Sequence, residues 1–232
     1  MTHLKKKLNL RIFLYGTLLI IVGCGPEKDN DGKTFKTIKI GNQTWMAENL
    51  SVAHYQNGDS IPNIKLDTDW KKQTSGAYCD FNNNSDTGNV YGHLYNYYAV
   101  NDKRNIAPKG WHVARKEDWD TLISYLKLDS AGIKLREAGT KHWKCIGCPG
   151  PCFFGTNQSG FTALPASYRG DNGSFPDGAG SVIGNGTSWW CVSDSCKSPD
   201  TALYWGIGTC YKEISKQCWS QKQGLSVRCV KD

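Results

Sequence analysis

The stretch that most constrains this chain runs from Gly110 to Leu126. Trp111-His112-Val113 reads as a short buried strand, Ala114 to Lys116 as a basic turn, and the remainder as an amphipathic helix. Trp119, Leu122, Ile123 and Leu126 fall at i, i+3, i+4 and i+7, a single apolar stripe that must lie against a core. Glu117, Asp118 and Asp120 crowd the first turn, where the helix dipole favours negative charge. No Ser, Thr, Asp or Asn stands at 114–116 to cap that start, so the pattern places the boundary only to within a few residues. A strand feeding a helix in this way demands a mixed fold, and it carries no chemistry of its own.

With 232 residues, 12% aromatic and 21% charged, the chain can bury one substantial core, and the composition is globular and loop-rich. The formal charge of +7 is concentrated at the start: residues 1–23 hold Lys5, Lys6, Lys7 and Arg11 and no acid, leaving 24 basic against 21 acidic groups elsewhere. That balance, without a basic stripe, argues against a nucleic-acid partner. The basic stretch precedes an apolar run from Ile12 to Val22, short for a bilayer span and suited to a signal peptide. The run ends Ile21-Val22-Gly23-Cys24, which resembles the bacterial lipobox and implies diacylglycerol on Cys24. Acyl chains contribute about 0.8 kcal/mol per buried CH₂, so such an anchor holds the chain to a membrane without a transmembrane helix. The expected organisation is a signal peptide over 1–23, a lipidated Cys24 and flexible polar tether over 24–33, and one domain over 34–232.

Along that domain, Thr37-Ile38-Lys39-Ile40 and Gln43-Thr44-Trp45-Met46 flank Gly41-Asn42, the pattern of a hairpin with a two-residue turn. Asp80, Asn82, Asn84 and Asp86 alternate like the opening of a calcium loop. However, Ser85 stands where that motif needs Gly and Tyr91 where it needs Glu, which favours a solvated Asn/Asp turn. Tyr91, Leu94, Tyr95 and Tyr98 continue at helical spacing and predict one short helix ending near Val100. Ala131, Leu135 and Ala138 predict another, stopped by Gly139. Beyond Thr140 helical periodicity disappears, and the last strand is predicted from Gly224 to Val230, with Leu225, Val227 and Cys229 on one face.

Taken in order, several motifs resemble the Fibrobacter succinogenes major paralogous domain. They are Trp45-Met46-Ala47-Glu48-Asn49-Leu50, Tyr91-Gly92-His93-Leu94-Tyr95-Asn96-Tyr97-Tyr98-Ala99-Val100 and Pro108-Lys109-Gly110-Trp111-His112-Val113, followed by Ser159-Gly160-Phe161-Thr162-Ala163-Leu164-Pro165, Ser167-Tyr168-Arg169-Gly170, Trp189-Trp190 and Leu225-Ser226-Val227-Arg228-Cys229-Val230. The resemblance implies an α+β, C-type lectin-like domain: a twisted antiparallel sheet, two or three short helices, long disulfide-rich loops and adjacent chain ends. It also implies a lipoprotein of the outer membrane, surface-exposed or facing the periplasm, and it implies no general activity. Where the family often has Cys before Pro-x-Gly-Trp, this chain has Ala107, so Cys229 must find another partner or stay free.

Besides Cys24 there are nine cysteines, an odd number, and an exported chain so rich in them is expected to form disulfides. His142, Cys145, Cys148 and Cys152 have zinc-ligand types, but the glycines and prolines between them suit a disulfide-tied loop in an oxidising compartment. Cys191-x4-Cys196 matches the spacing of the copper-binding pair in formylglycine-generating enzymes, and paired thiolates suit Cu(I); a local disulfide explains the same spacing. Trp189, Trp190, Tyr168, Arg169 and Asp194 offer flat rings and polar groups for a sugar face. The leading expectation is therefore a non-catalytic module, with no cofactor, that binds glycan, another extracellular polymer or a surface protein. The alternatives are a copper-dependent thiol oxidase using Cys191 and Cys196, with calcium at Asp80, Asn82, Asn84 and Asp86 a further cofactor option, and a purely structural envelope component.

Overall fold

In the computed structural model, residues 26–176 and 183–232 are described. The signal segment and Cys24 lie outside them. The fold is built around its C-terminal segment. Every residue from Gln223 to Val230 is buried, so this stretch is enclosed on both faces rather than alternating in and out. Gly224, Leu225 and Ser226 form bridges to Arg169, Tyr95 and Trp189 respectively. Leu50 N–H then donates to Val227 O and Ala114 N–H to Arg228 O, each at 2.9 Å. The regular strand β9 is only Cys229–Lys231, shorter than the predicted 224–230, because the preceding residues pair with several different neighbours instead of one.

Around β9 stands a four-stranded antiparallel sheet of order β1-β2-β9-β5. The predicted hairpin supplies β1 (Thr37–Ile40) and β2 (Gln43–Met46), with Ile40 opposite Gln43 and Gly41 at φ +59° in the turn. β5 (Trp111–Val113) flanks the other side of β9, pairing His112 with Val230. The N-terminal hairpin thus lies beside the last strand.

The predicted helix is α4 (Lys116–Leu126), and it buries Trp119, Leu122, Ile123 and Leu126. Its start is fixed by the Asp118 carboxylate, which accepts the Arg115 N–H at 2.8 Å and supplies the capping bond missing from 114–116. The stripe from Tyr91 to Tyr98 is not one helix. It divides into the end of α2 (Ser85–Tyr91), the strand β4 (Leu94–Tyr95) paired with β3 (Tyr78–Cys79), and α3 (Tyr97–Val100). Gly92 at φ +79° turns the chain out of helical geometry, and Asn96 caps α3 by accepting the Ala99 N–H at 3.0 Å. Two short helices complete the set, α1 (Asp67–Lys71) and α5 (Ala131–Leu135). The second ends before Ala138 because Arg136 leaves helical geometry, at ψ 146°.

β6 (Gly186–Cys191), β7 (Thr201–Gly208) and β8 (Ser215–Ser220) form an antiparallel meander with Trp189 opposite Trp205 and Leu203 opposite Cys218. Between this sheet and α4 lies the largest aromatic cluster. Trp119 is 5.1 Å from Trp45, 5.6 Å from Trp189 and 6.1 Å from Trp205 between ring centroids. Indoles here fill the volume that leucines occupy in other cores.

A fold with so little regular strand leaves many carbonyls without ladder partners. Three buried arginines collect them. Arg228 donates to Asn49 Oδ1, Met46 O and Phe161 O at 2.7–2.9 Å, Arg169 to Gly173, Ile64 and Lys65 carbonyls, and Arg136 to those of Phe153, Gly208 and Tyr211. Residues 26–33, expected as a free tether, are held against the body: Asn30 Nδ2 donates to His54 O and Ile106 O at 3.1 and 3.0 Å, and Glu27 pairs with Lys231. Their polar side chains have found partners on the domain rather than water. Among the described residues no helix is long and apolar enough to cross a membrane.

Candidate functional site

Strand alternation gives the meander two unlike faces. Trp189, Cys191, Leu203, Trp205 and Ile207 point into the core. On the opposite face the register sets Gly186 against Gly208, Ser188 against Gly206, and Tyr204 against Gln217. Four of those six residues are Gly or Ser, so the face is hollow at that end. It forms the floor of a cleft of about 620 Å³.

One wall of the cleft is aromatic. The Trp219 ring lies 4.9 Å from Tyr168 and 5.3 Å from Tyr204. All three rings are partly exposed. The Trp219 indole is anchored from behind: with the Gln223 amide oriented to satisfy its neighbours, Trp219 Nε1 donates to it at 3.1 Å, and Gln223 in turn donates to Arg169 O at 2.9 Å. Burial, with a smaller contribution from Tyr168, pushes the Tyr204 phenol above its ordinary value, so it stays protonated and can donate. Its hydroxyl lies 3.5 Å from Gln217 Oε1. At the far end stand Tyr211, 65% exposed, and Glu213, the one charged residue among the described residues lining the cleft. The geometry offers flat rings, a narrow floor and neutral hydrogen-bonding groups to a ligand that is polar at its edges and apolar on its face.

The structure redistributes the sequence-derived candidates. Of the five proposed ligand-binding residues, only Tyr168 lines the cleft. Trp189 and Trp190 are 0% exposed, and their indole N–H groups donate to Asn49 Oδ1 at 2.9 Å and Tyr95 O at 2.7 Å. A domain poor in leucine needs those rings inside. Arg169 is likewise 0% exposed and reaches the cleft only through Gln223. Asp194 is exposed in the loop after β6, outside the cleft. Tyr204, Gln217 and the glycine floor were missed; the signal for them is the spacing of Tyr204, Gly206 and Gly208 on one face of a strand.

The oxygen-rich run is likewise occupied. Asp80 Oδ1 lies 2.6 Å from His93 Nδ1, Asn84 caps α2 by accepting the Asp86 N–H, and Asn82 occupies φ 54° in a tight turn. These are the bonds of an Asn/Asp turn that starts a helix. Cys191 and Cys196 are not presented as a pair. Cys196 is bonded to Cys218, while Cys191 is buried with its thiol pushed up to about 12 by desolvation, so the two sulfurs do not stand together as a dithiol pair. The other disulfides join Cys145 to Cys152 and Cys148 to Cys210. Cys79, Cys191 and Cys229 are free and buried. His142 faces Glu137 at 2.8 Å instead of joining the cysteines.

Compared with known proteins, residues 38–231 match the model of the Fibrobacter succinogenes major domain. No curated protein and no solved structure gives a significant match.

Proposed function

We propose that this chain, which belongs to the Fibrobacter succinogenes major domain family, is an envelope lipoprotein whose domain binds neutral glycan chains in the cleft over the β6–β7–β8 meander. In this reading Cys24 carries the lipid and holds the domain at the outer membrane. The architecture is of the C-type lectin-like kind, a reading supported by the N-terminal hairpin lying beside the last strand and by the long run without regular elements over residues 136–176.

The observation that carries the proposal is the Tyr168–Trp219–Tyr204 wall standing over a glycine floor. Sugar rings present an apolar face of C–H groups and a polar rim of hydroxyls; the wall suits the first, and Ser188 and Gln217 with the Tyr204 hydroxyl suit the second. Among the described residues lining the cleft the one charged group is Glu213, which suits a neutral polymer better than an acidic one.

The test is calorimetric titration of the chain with the neutral polysaccharides that score on a glycan array. Trp219→Ala is expected to weaken binding at least tenfold. Gly208→Gln fills the floor without strain, since a Cβ there meets nothing nearer than Asn185 O at 3.5 Å, and it is expected to do the same. Binding unchanged in both variants, or no glycan bound by the parent, refutes the assignment.

A further inference from the structure

Two remote segments bring four cysteines into one knot. Cys145, Cys148 and Cys152 sit on the loop after α5, and Cys210 follows β7. Cys145 is bonded to Cys152 and Cys148 to Cys210. The two disulfides are also neighbours, because the Sγ atoms of Cys145, Cys148 and Cys152 all lie within 4.8 Å of one another. Four thiolates around a zinc ion at about 2.3 Å stand about 3.8 Å apart; the sulfurs of Cys145, Cys148 and Cys152 are already grouped on that scale, and Cys210, bonded to Cys148, brings the fourth.

The surroundings point the same way. Arg136 is 0% exposed, and its guanidinium is held by the carbonyls of Phe153, Gly208 and Tyr211, residues that flank Cys152 and Cys210. Among the described residues its hydrogen bonds all go to backbone carbonyls, its Nε has no partner, and Glu213 acts on it only through space. A buried cation without a counter-ion is unfavourable, and a zinc tetrathiolate, which carries a net charge of −2, would compensate it. Cys145 is exposed, which gives a reductant access.

We propose that Cys145, Cys148, Cys152 and Cys210 form a tetrathiolate Zn(II) site when their two disulfides are reduced. The knot beside the Cys210 end of the cleft is then held by S–S bonds in oxidising surroundings and by metal in reducing ones. The conversion needs a two-electron reductant as co-reactant: a dithiol, or in the experiment below a phosphine, which leaves as its oxide with oxygen taken from water. Each disulfide takes two electrons and two protons from one dithiol, which leaves as its cyclic disulfide; Zn(II) then displaces the four thiol protons. The fourth ligand is Cys210 in this assignment, and His142 takes no part.

The experiment uses the full chain, reduced anaerobically with a phosphine that does not compete for metal, then exposed to Zn(II) and desalted. Elemental analysis is expected to find one zinc per chain, retained in Cys196→Ser/Cys218→Ser and reduced at least tenfold in Cys145→Ser/Cys148→Ser. Since that last variant can fail to fold, the parent is also alkylated with and without zinc and mapped by mass spectrometry. Zinc is expected to slow modification of Cys145, Cys148, Cys152 and Cys210 at least tenfold while leaving Cys196 and Cys218 unchanged. No retained zinc, or protection of a different set of cysteines, overturns the proposal.

Discussion

The residue that best explains the interior is Arg228. A strand enclosed on both faces should be apolar throughout, yet Arg228 sits in it with 1% exposure. Its five N–H donors make it useful there, since they satisfy the carbonyls of Met46, Phe161 and Thr162 and share Asn49 Oδ1 with the Trp189 indole. Arg228→Met is therefore expected to leave several buried acceptors empty, at about 1–3 kcal/mol each, and to lower stability by at least about 3 kcal/mol in urea unfolding. His112 makes a second, titratable clasp: Nε2 lies 2.9 Å from Asp118 and Nδ1 2.7 Å from Asp232, tying the start of α4 to the last residue. Asp118 first, and then Asp232, hold the imidazole above its ordinary value against the opposing effect of burial. For Asp118, burial pushes upward, but the bonds from His112 and the Arg115 N–H prevail and lower it. The histidine's contribution is complete below its unfolded value near 6.5 and is lost as pH rises through the raised folded value; the carboxylate's is present above about 3.9 and is lost as pH falls through its lowered one. The stability difference between the parent and His112→Asn should thus be largest between about pH 4 and 6.5 and shrink toward pH 9, and chemical unfolding across that range measures it. A difference that grows with pH contradicts the clasp.

At the scale of elements, short pieces are separated by residues with one conformational duty each. Gly92 divides α2 from β4 at φ +79°, and a Cβ there would lie 2.7 Å from Asn49 Cβ and 2.9 Å from Leu50 O. The left-handed backbone alone costs a non-glycine residue about 1–2 kcal/mol, and the clash adds to it. Gly92→Ala should lower the melting temperature by several degrees, whereas Gly110→Ala, equally left-handed but with nothing within 4 Å, should lower it less. Equal shifts in the two would remove the close approach as a cause. The meander shows why elements decide a site. β7 sends Trp205 and Ile207 to the core and Gly206 and Gly208 to the cleft, so one strand both secures the domain and hollows its surface.

For the molecule as a whole, cross-links stand in for the regular structure that is missing. Cys196–Cys218 closes 22 residues and fastens β8, which carries Gln217 and Trp219, to the loop after β6. Cys196→Ser/Cys218→Ser is expected to lower stability by about 3 kcal/mol and to weaken glycan binding, because the aromatic wall loses its fixed position. Calorimetry and urea unfolding of the same variant check both parts; binding unaffected by the loss would show that β8 is positioned by sheet hydrogen bonds alone.

What was legible in the chain was whatever repeats locally. The stripe of Trp119, Leu122, Ile123 and Leu126 specified α4 because helical period and burial are properties of neighbouring residues. Gly41-Asn42 specified the hairpin, and the ordered motifs identified the family over residues 38–231. The site was not legible in the same way, because its parts converge only after folding. Tyr168, Tyr204 and Trp219 are remote in sequence and meet across a loop and two strands. Nothing local distinguishes Trp219, at the cleft, from Trp189, at 0% exposure, since an indole serves core and surface equally well. The cysteines divide likewise: their number promised disulfides, whereas only the packing of β7 and β8 decided that Cys196 would meet Cys218 and Cys148 would meet Cys210. Local periodicity fixed the elements, and long-range packing fixed which of their side chains face one another.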